Sequence, residues 1–184
     1  MSVAAATFNV KTLVRCALFA ALIGALGLLP PIPVPVLPVP ITAQTLGVML
    51  AGAILGARNG ALAVILFLAV VAVGFPLLSG GRGGLGVFFA PSAGFLFGWV
   101  LGAGMVGLLA NGSTQLPRLI AACLIGGVGA IYLIGVPWMA AVADLTFSQA
   151  AIASLAFVPG DVVKAVLAAL AARAVHRGYP ALRQ

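Results

Sequence analysis

Long apolar runs, broken by short clusters of proline, glycine and basic residues, make up nearly the whole chain. Runs of this length without an opposing polar face predict helices that cross a bilayer rather than helices packed in a soluble core. Six such helices are predicted, at about 13–29, 44–57, 60–76, 92–110, 118–140 and 148–173, forming one all-α integral membrane domain over residues 1–184. The first run follows Lys11 and Arg15 and has the outline of a signal peptide. Because further apolar runs follow, it reads as a retained helix with its basic end inside. Ala17, Ala21 and Ala25 recur along it every four residues. A flat stripe of small residues lets a second helix approach closely, and that helix is either a neighbour in this chain or a separate subunit.

Between the first two helices lie Pro30, Pro31, Pro33, Pro35, Pro38 and Pro40, which forbid helix and favour an extended polyproline path. Irregular backbone is not tolerated facing lipid, so this segment is expected at the outer interface or folded over a cavity. Thr42, Gln44 and Thr45 open the second helix; Thr42 is placed to cap it, or Gln44 to reach a ligand. Arg58-Asn59 marks an inside turn. Further on, five glycines surround Arg82 in Gly80-Gly81-Arg82-Gly83-Gly84-Leu85-Gly86. Such a loop is either a flexible connection or a place where backbone N–H groups and a guanidinium meet an anion. Phe89, Phe95 and Trp99 are candidates for the apolar wall of a site, or for core packing. Gly94, Gly98 and Gly102 predict a close helix contact, and Trp138 an interfacial anchor.

The most informative stretch is Phe157-Val158-Pro159-Gly160-Asp161-Val162-Val163-Lys164, which puts an acid and an ammonium in the middle of the last apolar run. At ~1.5 Å per residue Asp161 is roughly 18 to 20 Å from either end of that run, too far to snorkel easily. Intramembrane charges cost several kcal/mol unless paired or facing a polar cavity. Asp161 and Lys164, three apart, share a helix face, and Pro159 and Gly160 free backbone polar groups beside them. Two readings stand: a neutralised structural pair, and a ligand site.

Composition narrows the chemistry. The 184 residues are 64% hydrophobic and only 6% charged, with no glutamate and with Asp144 and Asp161 as the two acids. Carboxylate-pair catalysis and metal clusters lack the residues they need, and His176 is the only histidine, so no enzyme and no metal site is expected. Lys11 and Lys164 follow no phosphate-loop glycine pattern, so the chain is not expected to hydrolyse ATP by that route. Cys16 and Cys123 stand singly and read as inert buried thiols. The net charge of +7 is dispersed between apolar runs, which points to topology rather than nucleic acid. With both termini cytoplasmic, Lys11, Arg15, Arg58, Arg118, Arg173, Arg177 and Arg183 lie inside, while Arg82 and Asp144 lie outside. Asp144 reads as a solvated turn residue and His176 as an interfacial side chain.

Three landmarks in order go beyond generic spans: Pro38-Val39-Pro40-Ile41-Thr42-Ala43-Gln44-Thr45-Leu46-Gly47; the Arg82 loop leading to Ala90-Pro91-Ser92-Ala93-Gly94-Phe95-Leu96; and the Asp161 stretch. With them the chain resembles the BioY family of biotin transport proteins over nearly its whole length. It departs from the family's frequent Pro-Thr-Gly-Gly-Tyr, having Pro91-Ser92-Ala93-Gly94-Phe95 and so no phenol at that position. The resemblance implies a six-helix substrate-binding (S) component of an energy-coupling factor transporter in the bacterial cytoplasmic membrane, taking up biotin with a membrane coupling subunit and ATPase subunits. It further implies that Ala17 and Ala21 contact the coupling subunit, with Asp161, Lys164, Arg82, Gln44, Phe89, Phe95 and Trp99 as candidate ligand residues. The alternative is a channel or ion-coupled carrier acting alone, in which Asp161 titrates.

Overall fold

The computed structural model describes residues 10–35 and 37–179; the predicted inside residue Arg183 lies outside them. The described chain is helical, with five helices long and apolar enough to cross a membrane: α1 (Val10–Gly27), α2 (Gln44–Val73), α3 (Ala93–Ala110), α4 (Leu116–Val142) and α5 (Phe147–Gly178). Where two helices are predicted at 44–57 and 60–76, one element of 30 residues is found, with Gly56 at φ 80° and ψ 177° inside it. That conformation is open to glycine and strained for other residues, so the break falls there. Beyond it the chain folds back. A Cβ added to Gly60 would lie 2.8 Å from the Gly52 Cα, a contact that a straight helix rules out for residues eight apart.

Small residues set the remaining contacts. The Gly94, Gly98 and Gly102 edge of α3 lies against α4: a Cβ at Gly98 would stand 2.8 Å from the Ile131 carbonyl oxygen, and one at Gly102 would stand 2.7 Å from Ile131 Cγ1. Helices this close gain dispersion contacts along their length, which is what association in lipid depends on. On α1, Ala20, Ile23 and Gly24 are buried against α2, while Ala17, Ala21 and Ala25 are exposed. The stripe is therefore not covered by a described helix of this chain.

Three further expectations change. The proline segment is not a simple extended strap, because Ile32 and Ile41 exchange antiparallel backbone hydrogen bonds of 2.9 Å each and close it into a loop. Leu37 and Val39 of that loop are buried over the bundle. Thr42 does not cap α2, whose N-cap position is Ala43 with no side-chain bond. His176 is not interfacial: it is fully buried, its Nδ1 3.1 Å from the Ser113 carbonyl oxygen, tying the end of α5 to the α3–α4 turn.

The final apolar run is interrupted as well. A short 3-10 turn, Leu155–Phe157, precedes a fresh α-helical stretch, Val158–Gly178, with Pro159 at its start. Proline is tolerated in a first turn, where its missing N–H has no intrahelical partner to lose. Asp161 thus sits in the first turn after this tightened stretch, within a backbone that stays right-handed helical through Ser154, Leu155, Phe157 and Val158.

Candidate functional site

The cavity at the loop end of the bundle is bounded by residues from every part of the chain except α1. The proline loop contributes Val39 to Ile41, α2 contributes Thr45, and the glycine loop and the approach to α3 contribute Arg82 and Ser92. Phe95 and Trp99 come from α3, Ile131 and Tyr132 from α4, and Phe157, Asp161 and Lys164 from α5. Asp161 and Lys164 form an ion pair, Nζ to Oδ1 at 2.8 Å, with Asp161 only 4% exposed.

Two other helices hold that pair. Thr45 accepts from Lys164 Nζ at 3.0 Å and donates to Asp161 Oδ1 at 3.4 Å. The Tyr132 hydroxyl donates to Asp161 Oδ2 at 2.6 Å. A buried ion pair repays its desolvation only when its remaining hydrogen-bonding capacity is satisfied, and these contacts supply that. Lys164 uses two of its three ammonium donors and retains one.

Arg82 is half-buried and turned inward. Its Nε donates to the Ser79 carbonyl at 3.3 Å and its Nη1 to Ser92 Oγ at 3.1 Å, and its Nη2 makes no hydrogen bond among the described residues. Burial lowers the Arg82 pKa from its ordinary value. A guanidinium starts so high that it keeps its charge at neutral pH. Of the aromatic candidates, Phe95 and Trp99 line the cavity and are buried. The Trp99 indole N–H is a buried donor with no hydrogen-bond partner.

Two candidates are placed differently from the rest. Phe89 is 76% exposed and does not line the cavity, because the short helical turn Leu85–Phe88 carries it to the surface. Gln44 borders the cavity, but its amide is already satisfied by backbone: Nε2 donates to Ile23 O at 3.1 Å and Leu77 O at 3.0 Å, and Oε1 accepts from Ser79 N at 2.9 Å. It is a strut between α1, α2 and the glycine loop.

Thr45, Tyr132, Ser92 and Phe157 also line the cavity, without a motif in the sequence that marks them for it. Tyr132 carries a signal, as the lone phenol within an otherwise apolar run, Tyr179 standing in the tail. Nothing in the spacing links it to Asp161, 29 residues away. Among the described residues no group of three or more metal-ligating side chains occurs.

The model of the BioY family matches residues 1–181. The chain is 53% identical to the biotin transporter BioY of Rhizobium etli, over 95% of this chain and 97% of that protein. It is 47% identical to a probable biotin transporter BioY of Bacillus subtilis, covering 87% of each. It is 46% identical to the biotin transporter BioY of Rhodobacter capsulatus, over 89% and 92%. Among solved structures it resembles the S-component for biotin from an ECF-type ABC transporter, with a TM-score of 0.85, 35% identity, and coverage of 91% of this chain and 92% of that one. With a family match over almost its full length, relatives at this identity and a shared S-component fold, the chain belongs to the BioY family.

Proposed function

We propose that the chain captures biotin at the outer side of the bacterial cytoplasmic membrane and serves as the substrate-binding component of an energy-coupling factor transporter. A membrane coupling subunit and ATPase subunits would supply the energy. It acts by binding and release rather than as an enzyme. The observation that carries this reading is the buried Asp161–Lys164 pair, held by Thr45 and Tyr132 so that one ammonium donor and one carboxylate lone pair remain. A ureido ring offers an N–H beside a carbonyl, the complement of that pair. Phe95 and Trp99 suit the apolar fused rings, and an acceptor brought beside the Trp99 N–H would relieve an unpaired donor costing about 1 to 3 kcal/mol. Saturable binding of labelled biotin to the folded, detergent-solubilised protein tests this directly, and its absence overturns it. Uptake should stop when ATP is withdrawn and persist when ion gradients are collapsed; the reverse pattern would make the protein an ion-coupled carrier.

In this reading both halves of α2 cross the membrane, giving six spans with both termini inside. Lys11, Arg15, Arg58, Arg118, Arg173 and Arg177 then lie on the cytoplasmic side and Arg82 on the outer side. The exposed edge of Ala17, Ala21 and Ala25 on α1 is the docking face for the coupling subunit. Ala17→Trp with Ala21→Trp should leave biotin affinity within about threefold of wild type, under ~1 kcal/mol, yet abolish co-purification with that subunit. Survival of the complex would refute the assignment.

Arg82, with its Nη2 edge unengaged, is assigned to the valerate carboxylate. Biotin methyl ester should therefore bind wild type at least about tenfold more weakly than biotin, a charged hydrogen bond being worth about 1.5 to 3 kcal/mol. In Arg82→Ala the acid and the ester should bind nearly alike. Equal acid-to-ester ratios in the two proteins would remove Arg82 from carboxylate recognition.

A further inference from the structure

Tyr132 joins the polar and aromatic parts of the cavity. Its hydroxyl lies 2.6 Å from Asp161 Oδ2, and because a carboxylate only accepts, the phenol is the donor. Its ring meets Phe95 edge-on at 6.0 Å and 84°, and Phe157 at 6.4 Å and 88°. Phe95 and Phe157 meet at 6.1 Å and 83°, so each ring braces the other two. Just before Tyr132 the α4 backbone widens into a π-helical stretch, Ile125–Ala130. An extra residue in a turn rotates the downstream helix by roughly 100° relative to an uninterrupted α-helix, so this stretch sets the face on which Tyr132 emerges.

The consequence is a count of acceptors. A carboxylate has about four lone-pair sites. Oδ1 already accepts from Lys164 at 2.8 Å and Thr45 at 3.4 Å, and Oδ2 accepts from Tyr132. One site is left.

We propose that Tyr132 is a positioning residue that determines ligand specificity: by occupying one side of Asp161 Oδ2, it restricts the carboxylate to a single ligand N–H. This inference rests on the biotin reading. The site then takes one N–H beside one C=O, the edge of a cyclic urea. It rejects a cyclic guanidinium, which brings a second N–H that Asp161 has no room to accept and sets another N–H against the remaining Lys164 donor.

The test compares biotin with its cyclic guanidine analogue, 2-iminobiotin, at a pH where the analogue is protonated, by calorimetry on wild type and Tyr132→Phe. The variant keeps the ring and its edge-on contacts and frees the second Oδ2 lone pair. The biotin-to-analogue affinity ratio is expected to fall at least about fivefold, with the analogue gaining or holding affinity while biotin loses. An unchanged ratio, both ligands weakening together, would leave Tyr132 a packing residue and overturn the inference. A second measurement needs no variant. In the two cyclic carbamate analogues of biotin, a ring oxygen replaces one or the other ureido N–H. A single acceptor predicts that wild type binds one isomer within about threefold of biotin and the other at least about tenfold more weakly. Equal losses for both isomers would overturn the proposal. If wild type binds neither biotin nor any analogue, the biotin reading falls and this inference with it; if biotin binds and the ratios do not move, only this inference falls.

Discussion

Asp161→Asn combined with Lys164→Met should lower biotin affinity at least tenfold in a protein that still folds. The two changes remove both charges at nearly constant volume. The polar partners are not stranded: an amide at position 161 can accept from Tyr132 and donate to Thr45, both within reach of the present carboxylate. Replacing a buried ion pair as a unit is often neutral or stabilising, so a pair with only a structural role would tolerate the exchange. A ligand site would not, because the Lys164 donor is gone and a neutral amide oxygen replaces a charged acceptor. Each lost charged hydrogen bond is worth about 1.5 to 3 kcal/mol. Affinity within about threefold of wild type, under ~1 kcal/mol, would make the pair structural and place the ligand elsewhere. The single variants are less informative. Lys164→Met alone leaves Asp161 buried without its cation and should cost about 3 to 5 kcal/mol of stability whatever the function.

Gln44→Leu should produce the largest loss of stability outside the charged pair. The side chain makes three backbone contacts, buried ones to Ile23 O and Ser79 N and a partly buried one to Leu77 O. Leucine fills similar space but leaves the Ser79 N–H without an acceptor, and the Leu77 carbonyl loses the Gln44 donor. The two donated hydrogen bonds at about 1 kcal/mol each, plus the stranded Ser79 N–H at about 1 to 3 kcal/mol, give a total of roughly 3 to 5 kcal/mol. Thermal unfolding in detergent should show a clearly lower midpoint. Biotin affinity of the folded fraction should fall less than in the Asp161/Lys164 double variant. Unchanged thermal stability with binding lost would return Gln44 to the ligand.

The helical apolar character, the approximate extent of most helices and the pairing of Asp161 with Lys164 were legible because each rests on local pattern. Apolar runs have no other stable solution than helix in lipid, and an acid with an ammonium three residues away stands out against such a background. The glycine ladder of α3 was legible for the same reason, since its spacing alone announces a close contact. What was not legible is what the fold brings beside each side chain. Phe89 and Phe95 look alike in sequence, but a short turn carries the first to the surface while α3 carries the second into the cavity. Gln44 reads as a free polar group in the sequence, and only the fold brings the Leu77–Ser79 backbone onto its amide.

The sequence by itself determined that this chain is a helical membrane protein, that two opposite charges lie deep within its last apolar run, and, through the order of its motifs, which family it resembles. Only the tertiary structure decided that α2 doubles back at Gly56, that Thr45 and Tyr132 complete the charged pair, and that a 3-10 turn at Leu155–Phe157 precedes the turn carrying Asp161. The reason is range. Hydrophobicity and helix periodicity act over a few residues and are written along the chain, whereas a hydrogen bond from position 45 or 132 to position 161 exists only once helices distant in sequence have packed together.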